Sequence, residues 1–179
     1  MRSILRPAAV TVGPLTLLLG IAAPLAMTGL AAALFPAQAG GSLVLREGRV
    51  IGSALVGQGF TEARYFHPLP SAAGYDASAG AASQLGPTSA TLLEAVRGRV
   101  AGPAPVPADA ATASGSGLDP HISPENARRQ VARVAAARGM DEARLREILA
   151  RHVEGLLLGL LGAPRVNVLA LNLALDAGE

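Results

Sequence analysis

Between Pro7 and Leu45 the chain carries no ionisable side chain, and within that run Pro7 to Phe35 supplies about 29 predominantly apolar residues. Roughly 20 residues of helix cross the hydrocarbon core of a bilayer, so the run predicts a membrane-spanning helix over residues 11–35. Arg2 and Arg6 precede it. Under the positive-inside bias these two arginines set the topology, with residues 1–10 in the cytoplasm and residues 36–179 outside. Pro14 and Pro24 interrupt the span and predict a kink or a partner helix. Small residues from Gly20 to Ala33 would let such a helix approach closely. Ala37-Gln38-Ala39 also has the form of a small-x-small processing site, which makes a cleaved signal peptide the competing reading. The apolar run is far longer than the roughly 7 to 15 residues of a signal core, so the anchor is the reading adopted.

Composition excludes several chemistries. All 15 basic residues are arginines, and Cys and Trp are absent. Without lysine there is no Walker A loop, no Schiff base and no lysine-containing pump phosphorylation motif. Without cysteine there is no disulfide, no thiolate nucleophile and no cysteine-built metal centre. The formal charge of +2 comes from Arg2 and Arg6 alone, because the remaining arginines equal the 13 acidic residues in number. The charge is therefore a topology signal, and the basic pI near 9.9 identifies no anionic partner. Without a basic patch or an aromatic platform, nucleic acid is not expected as a partner.

The remainder reads as a single mixed α+β soluble domain, making the whole a membrane-anchored α+β protein. Leu43-Val44-Leu45 and Val50-Ile51, with Ala54-Leu55-Val56 beyond, predict a hairpin turning at Gly48. Thr88 or Ser89 caps a short helix running to about Val100, and the proline run from Gly102 to Pro107 acts as a connector. Ser123 as cap, Pro124 at the first helical position, Glu125 in the first turn and Gly139 at the end mark a second helix. Asp141 caps a third, whose Leu145, Ile148, Leu149 and His152 share a stripe. Val166 to Leu175 alternates large and small residues, which suggests a strand against the hairpin, although Leu and Ala also suit a helix.

The densest polar cluster is Ser114, Ser116, Asp119 and His121. A Ser-His-Asp hydrolase would need a nucleophile elbow, and Ala113-Ser114-Gly115-Ser116-Gly117 lacks its first glycine. Anion binding by the glycine-rich run is opposed by Asp119 and by the six residues before the next helix. His67, His121 and His152 are too scattered to predict a metal site. The simplest reading is a tight loop whose Ser and Asp side chains bond nearby backbone.

The same residues carry a resemblance. Gly57-Gln58-Gly59-Phe60, Tyr65-Phe66, Pro70-Ser71-Ala72, Leu85-Gly86-Pro87, Thr112 through Ser123, Gln130 through Ala135, and Val166-Asn167-Val168-Leu169 with Leu171-Asn172-Leu173 resemble the KdpC family, the C chains of Kdp potassium-transporting ATPases. The match spans nearly the whole chain, and Ser114-Gly115-Ser116-Gly117-Leu118-Asp119-Pro120-His121 is its most specific part. Leu69, Ala82, Gln84 and Ala163 depart from the family pattern; relatives usually place Arg at the first of these and Glu or Gln at the last. The resemblance implies an accessory, non-catalytic subunit of a high-affinity potassium-uptake complex in the bacterial inner membrane. The implied partners are a channel-like potassium-binding subunit, a P-type pump subunit, often a small single-span subunit, and membrane lipid. It also implies a catalytic chaperone that raises the pump's affinity for ATP, with ATP as a ligand on resemblance alone. That makes a nucleotide-binding regulator the alternative, and an exported serine hydrolase the remote one. Two arginines ahead of the span place the polar domain outside, whereas the pump's nucleotide domain is cytoplasmic, so topology and a bound nucleotide pull apart.

Overall fold

The computed structural model describes residues 2–100 and 105–178. Contacts divide the chain into two compact units, residues 1–43 and 44–179. In the first, α1 (Arg2–Leu17) runs through a π-helical turn, Leu18–Ala22, into α2 (Ala23–Leu34), and a short α3 (Pro36–Ala39) follows. The stretch Ile4–Leu34 is long and apolar enough to cross a membrane. Its large side chains, from Ile4 through Leu19 to Phe35, are exposed, which in water would leave a whole apolar cylinder unpaired. The π turn lies just ahead of Pro24, where the missing N–H and the ring would disrupt an α-helical ladder, and Ala23 N donates to Leu18 O across it. Thr11 and Thr28 return their hydroxyls to the carbonyls of Pro7 and Pro24, each at 2.9 Å, so these polar groups are satisfied within the helix.

The second unit is the α+β domain. β1 (Leu43–Arg46) and β2 (Arg49–Ser53) form a two-stranded sheet through a turn at Glu47 and Gly48, both at positive φ. Ala54 and Leu55 lie in a turn, not in the continuing strand that their apolar character suggested. After a long irregular segment come α4 (Ala90–Arg99), α5 (Ala108–Ala111), β3 (His121–Ile122), α6 (Pro124–Arg138), α7 (Glu142–Arg151), β4 (Val153–Glu154), β5 (Arg165–Asn167) and α8 (Val168–Ala177). Residues 101–104 of the expected proline connector lie outside the described residues.

β5 is the centre of an antiparallel sheet in the order β3-β5-β4, with Ile122 and Val153 both opposite Val166. The final element, open between strand and helix in the sequence, divides at Asn167: the strand ends there, and Val168–Ala177 takes the helical reading. The switch has a local cause. Asn167 Oδ1 accepts from Ala170 N at 3.0 Å as an N-cap, after which Leu and Ala run on as good helix formers. The short strand pairs with β3 and β4, not with the hairpin.

α6 begins and ends as its sequence signals. Ser123 Oγ accepts from Asn126 N at 3.0 Å, Pro124 sits in the first turn, and Gly139 closes the helix at φ +63°. Ser89 likewise caps α4, accepting from Leu92 N at 3.4 Å. Asp141 occupies the cap position of α7, but its side chain makes no capping bond. The core joins Ala127, Val131 and Val134 of α6, Leu145 and Ile148 of α7, and Leu171 and Leu175 of α8 around Val166. His152 is half-buried at the end of α7, with Nδ1 2.9 Å from Ile148 O. α4 buries no residue.

Candidate functional site

Residues 112–121 fold into a turn whose serine and aspartate side chains bond its own main chain. Ser114 is 5% exposed, and its Oγ accepts from Gly117 N at 3.2 Å and Asp119 N at 3.4 Å. Ser116 Oγ lies 3.3 Å from Ser114 Oγ and accepts from Leu118 N at 3.1 Å. Gly117 stands at φ +72°, and a Cβ there would meet Ala81 O at 2.7 Å and Ala73 Cβ at 2.9 Å. Glycine is required at this position on two independent grounds. Gly115, by contrast, faces open space. Asp119 Oδ1 accepts from His121 N at 2.9 Å and faces His121 Nδ1 at 3.3 Å. Pro120 is buried and its carbonyl accepts from Val168 N, at 2.9 Å, at the start of α8.

A nucleophilic serine would need its hydroxyl on a base. Among the described hydrogen bonds none joins Ser114 or Ser116 to His121, and both hydroxyls accept from main-chain amides. The cluster is a set of turn-stabilising bonds. No group of histidines and carboxylates among the described residues could hold a metal ion.

Of the other signature segments, Gly57, Pro70 and Ser71 hold the same loop. Ser71 Oγ donates to Gly117 O at 2.6 Å while accepting from Ala73 N and Tyr75 N, and Pro70 O accepts from Ser114 N at 2.9 Å. Leu118 O accepts from Gly57 N at 2.7 Å, and a Cβ on Gly57 would meet Asp119 O at 2.6 Å. Gln58 Nε2 donates to Ile51 O at 3.2 Å, tying this segment to β2. Leu85, Gly86 and Pro87 are exposed ahead of α4, where Gly86 O accepts from Ser89 N.

Residues 60–67 are held by side-chain amides. Phe66 is fully buried, and Asn172, 1% exposed, grips it with Oδ1 on Phe66 N at 2.8 Å and Nδ2 on Phe66 O at 3.0 Å. Gln130 does the same for His67, at 2.8 Å and 3.0 Å. Each amide replaces a strand partner for a buried irregular backbone, which would otherwise lose its hydrogen bonds. Asn167 adds a third such contact, donating to Ala54 O at 2.8 Å. Burial, with the Arg133 guanidinium nearby, holds His67 below the ordinary histidine pKa, against the opposing contact with Glu62 O.

Beside this clamp lies a charge cluster that sequence reasoning missed. Asp176 Oδ1 meets Arg138 at 2.9 Å and Arg64 at 3.4 Å, and Oδ2 accepts from Tyr65 Oη at 3.0 Å. Arg138 and Arg64 also lie over the Tyr65 ring, whose centroid is 5.3 Å from that of Phe60. Burial works to raise the Asp176 pKa, but hydrogen bonds from Arg138 and Tyr65 and the arginine charges outweigh it and hold it below the ordinary value. Burial and the Asp176 bond raise the Tyr65 phenol. Arg133 donates to Ala63 O at 2.7 Å and Tyr65 O at 3.0 Å. The single linear cue was Arg138 in the last turn of a helix; nothing in the sequence pairs it with Asp176.

A concavity of about 360 Å³ next to the signature loop is lined by Leu69, Asp109, Asp119, His121, Ala163 and Arg165, among others. Leu69 and Ala163 are two of the departures from the family pattern, so their replacements fall on one surface. Asp109 is occupied, accepting from Ser123 N at 2.7 Å, Ser123 Oγ at 2.9 Å and Asn126 Nδ2 at 3.2 Å. Arg165 is paired with Glu154 at 2.8 Å. Two carboxylates and a neutralised arginine make a poor receptor for a polyphosphate, so this surface does not fit ATP. Of the two arginines expected to set the topology, Arg6 is exposed, and the Arg2 side chain lies outside the described residues.

Comparison with known proteins bears on the whole chain. The KdpC family model, described as the c chain of a K+-transporting ATPase, matches residues 5–177. A potassium-transporting ATPase KdpC subunit of Cereibacter sphaeroides is 58% identical over 182 residues, covering 99% of this chain and 98% of the relative. The subunit of the same description from Sorangium cellulosum is 57% identical over 186 residues, with 98% of each chain covered. That from Polaromonas naphthalenivorans is 54% identical over 188 residues, covering 99% of this chain and 96% of the relative.

Proposed function

Because the chain belongs to the KdpC family, the c chains of K+-transporting ATPases, we propose that it is a non-catalytic accessory subunit that stabilises such a complex from outside the membrane. In this reading residues 1–10 are cytoplasmic, residues 11–35 span the inner membrane and residues 36–179 pack on the outer face of the channel-like subunit. The observation that carries it is the exposed apolar helix Ile4–Leu34, free of charge beyond Arg6, joined to a domain whose signature-loop serines are consumed by its own backbone. A span without an intramembrane charge supplies neither a charged ion ligand nor a gating charge. Ion selection and phosphorylation then belong to the channel-like and pump partners, with the small single-span subunit beside them.

The chaperone role implied by the family, raising the pump's affinity for ATP, acts in this reading through contact between subunits. The carboxylate-lined surface at Asp109 and Asp119 supports that choice over a nucleotide held by this chain. Replacing residues 1–35 with a cleavable secretion signal tests the anchor. The exported domain should no longer co-purify with the other ATPase subunits from detergent extracts. Undiminished recovery would refute the helix as docking device.

A further inference from the structure

After Arg6 the arginines and the acidic residues are equal in number, but their charge is unevenly placed. Three guanidinium groups converge on one carboxylate: Asp176 meets Arg138 at 2.9 Å, Arg64 at 3.4 Å and Arg46 at 3.8 Å. No other carboxylate among the described residues pairs with any of the three, so the cluster holds two positive charges in surplus. The surplus sits on Arg46 and Arg64. Arg138 is 9% exposed and takes the short contact, whereas the side chains of Arg46 and Arg64 are each 49% exposed. Among the described hydrogen bonds the Arg64 guanidinium makes one, long at 3.4 Å, and the Arg46 guanidinium makes none. Two half-exposed forks with most of their donors unspent suit the oxygens of a phosphate group.

Arg46 also lines a hollow of about 220 Å³ between the hairpin and α8. The other lining residues, Val44, Leu45, Ile51, Leu173 and Ala177, are all apolar. Leu173 and Ala177 flank Asp176 on α8, so the apolar wall and the arginine cluster adjoin. A molecule with an anionic head and a hydrocarbon tail would use both: the head offsets the surplus charge, and the tail removes the apolar wall from water. The chain itself keeps such molecules near. Nine residues, 35–43, join Leu34 to Val44, and even fully extended they reach at most about 35 Å. That limit holds for either orientation of the span.

We propose that the hollow between the hairpin and α8 binds an anionic phospholipid, with its phosphate on Arg46 and Arg64 and part of an acyl chain along Val44, Ile51 and Leu173. The proposal rests on the membrane anchor in the reading above and not on which subunits the chain joins.

The test titrates the full chain in detergent micelles with phosphatidylglycerol and counts bound lipid by native mass spectrometry. The wild type should hold one phosphatidylglycerol at least tenfold more tightly than phosphatidylcholine, whose headgroup is neutral overall. Arg46→Gln with Arg64→Gln should weaken phosphatidylglycerol about tenfold or more. Ala177→Phe, at an exposed position, fills the hollow without touching the arginines and should weaken it about tenfold. Every variant keeps residues 1–35, so lipid around the span is common to all of them. Thermal melting in the same detergent controls for folding. Wild-type lipid binding by the arginine pair, or by Ala177→Phe, overturns the proposal. Glycerol 3-phosphate, a headgroup without chains, should compete only at concentrations about a hundredfold higher. Competition as strong as that of the lipid would make this a site for free phosphate and overturn the lipid. Release of the wild-type chain from membranes by alkaline carbonate would overturn the anchor, and the proposal with it.

Discussion

Two glycine-rich loops of this domain solve opposite problems. Residues 112–121 spend their serine and aspartate side chains on their own amides, and Ser114 and Gly117 are buried. Residues 155–162 turn apolar side chains outward over an equally self-bonded backbone. The first loop is determined by what lies inside the fold: every atom around Gly117 and Ser71 belongs to the same domain. The second is underdetermined by the fold, since its leucines touch little of it. A motif that is dense in chemistry can therefore be architectural.

That contrast can be broken most severely at Gly117. Gly117→Ala combines an unfavourable φ with overlap against Ala81 O and Ala73 Cβ. It should cost about 3 kcal/mol or more, lowering the melting temperature of the full chain in detergent by about 10 °C. Gly115→Ala, two residues away and facing open space, should stay within about 0.5 kcal/mol of wild type. Similar losses at both sites would mean that the loop is not packed as described. Calorimetry on the two variants decides it.

An intermediate effect is expected from acid. The Asp176 pKa is depressed in the folded state through its bonds to Arg138 and Tyr65. A carboxylate with a lowered folded pKa contributes stability that is present above its unfolded pKa, roughly 3.9, and is lost as pH falls through the folded value. Stability of the wild-type chain should therefore fall below about pH 4 more steeply than that of Asp176→Asn. Parallel melting profiles from pH 6 to pH 2 would remove the cluster from any structural role.

Much of this fold was legible because its signals are local. Ser123, Pro124, Glu125 and Gly139 delimit α6 by rules that need no tertiary knowledge, and the turn at Gly48 follows from backbone freedom. The final element was not, because a Leu/Ala alternation satisfies a strand period and helix propensity together; the deciding event is one side-chain cap, Asn167 on Ala170 N. The clamps were hidden for a different reason. Asn172 and Gln130 reach Phe66 and His67 across more than sixty positions of sequence, and an amide side chain does not announce which backbone it will satisfy. The backbone-bonded serines were foreseeable from turn chemistry, whereas the Asp176 cluster depends on where α6 and α8 meet.

The smallest effect on stability is the sharpest test of the outward loop. Leu158→Ser removes a large apolar group from a site 86% exposed, where little packing is lost. The free full chain in detergent should change by no more than about 0.5 kcal/mol. Leu158→Gly should if anything stabilise it, by about 1 kcal/mol or less, because φ +54° is relieved. A marked loss in either variant would place the leucine in a contact within its own chain and dissolve the distinction between the two loops. Unchanged stability would show that the fold does not depend on the Leu158 side chain.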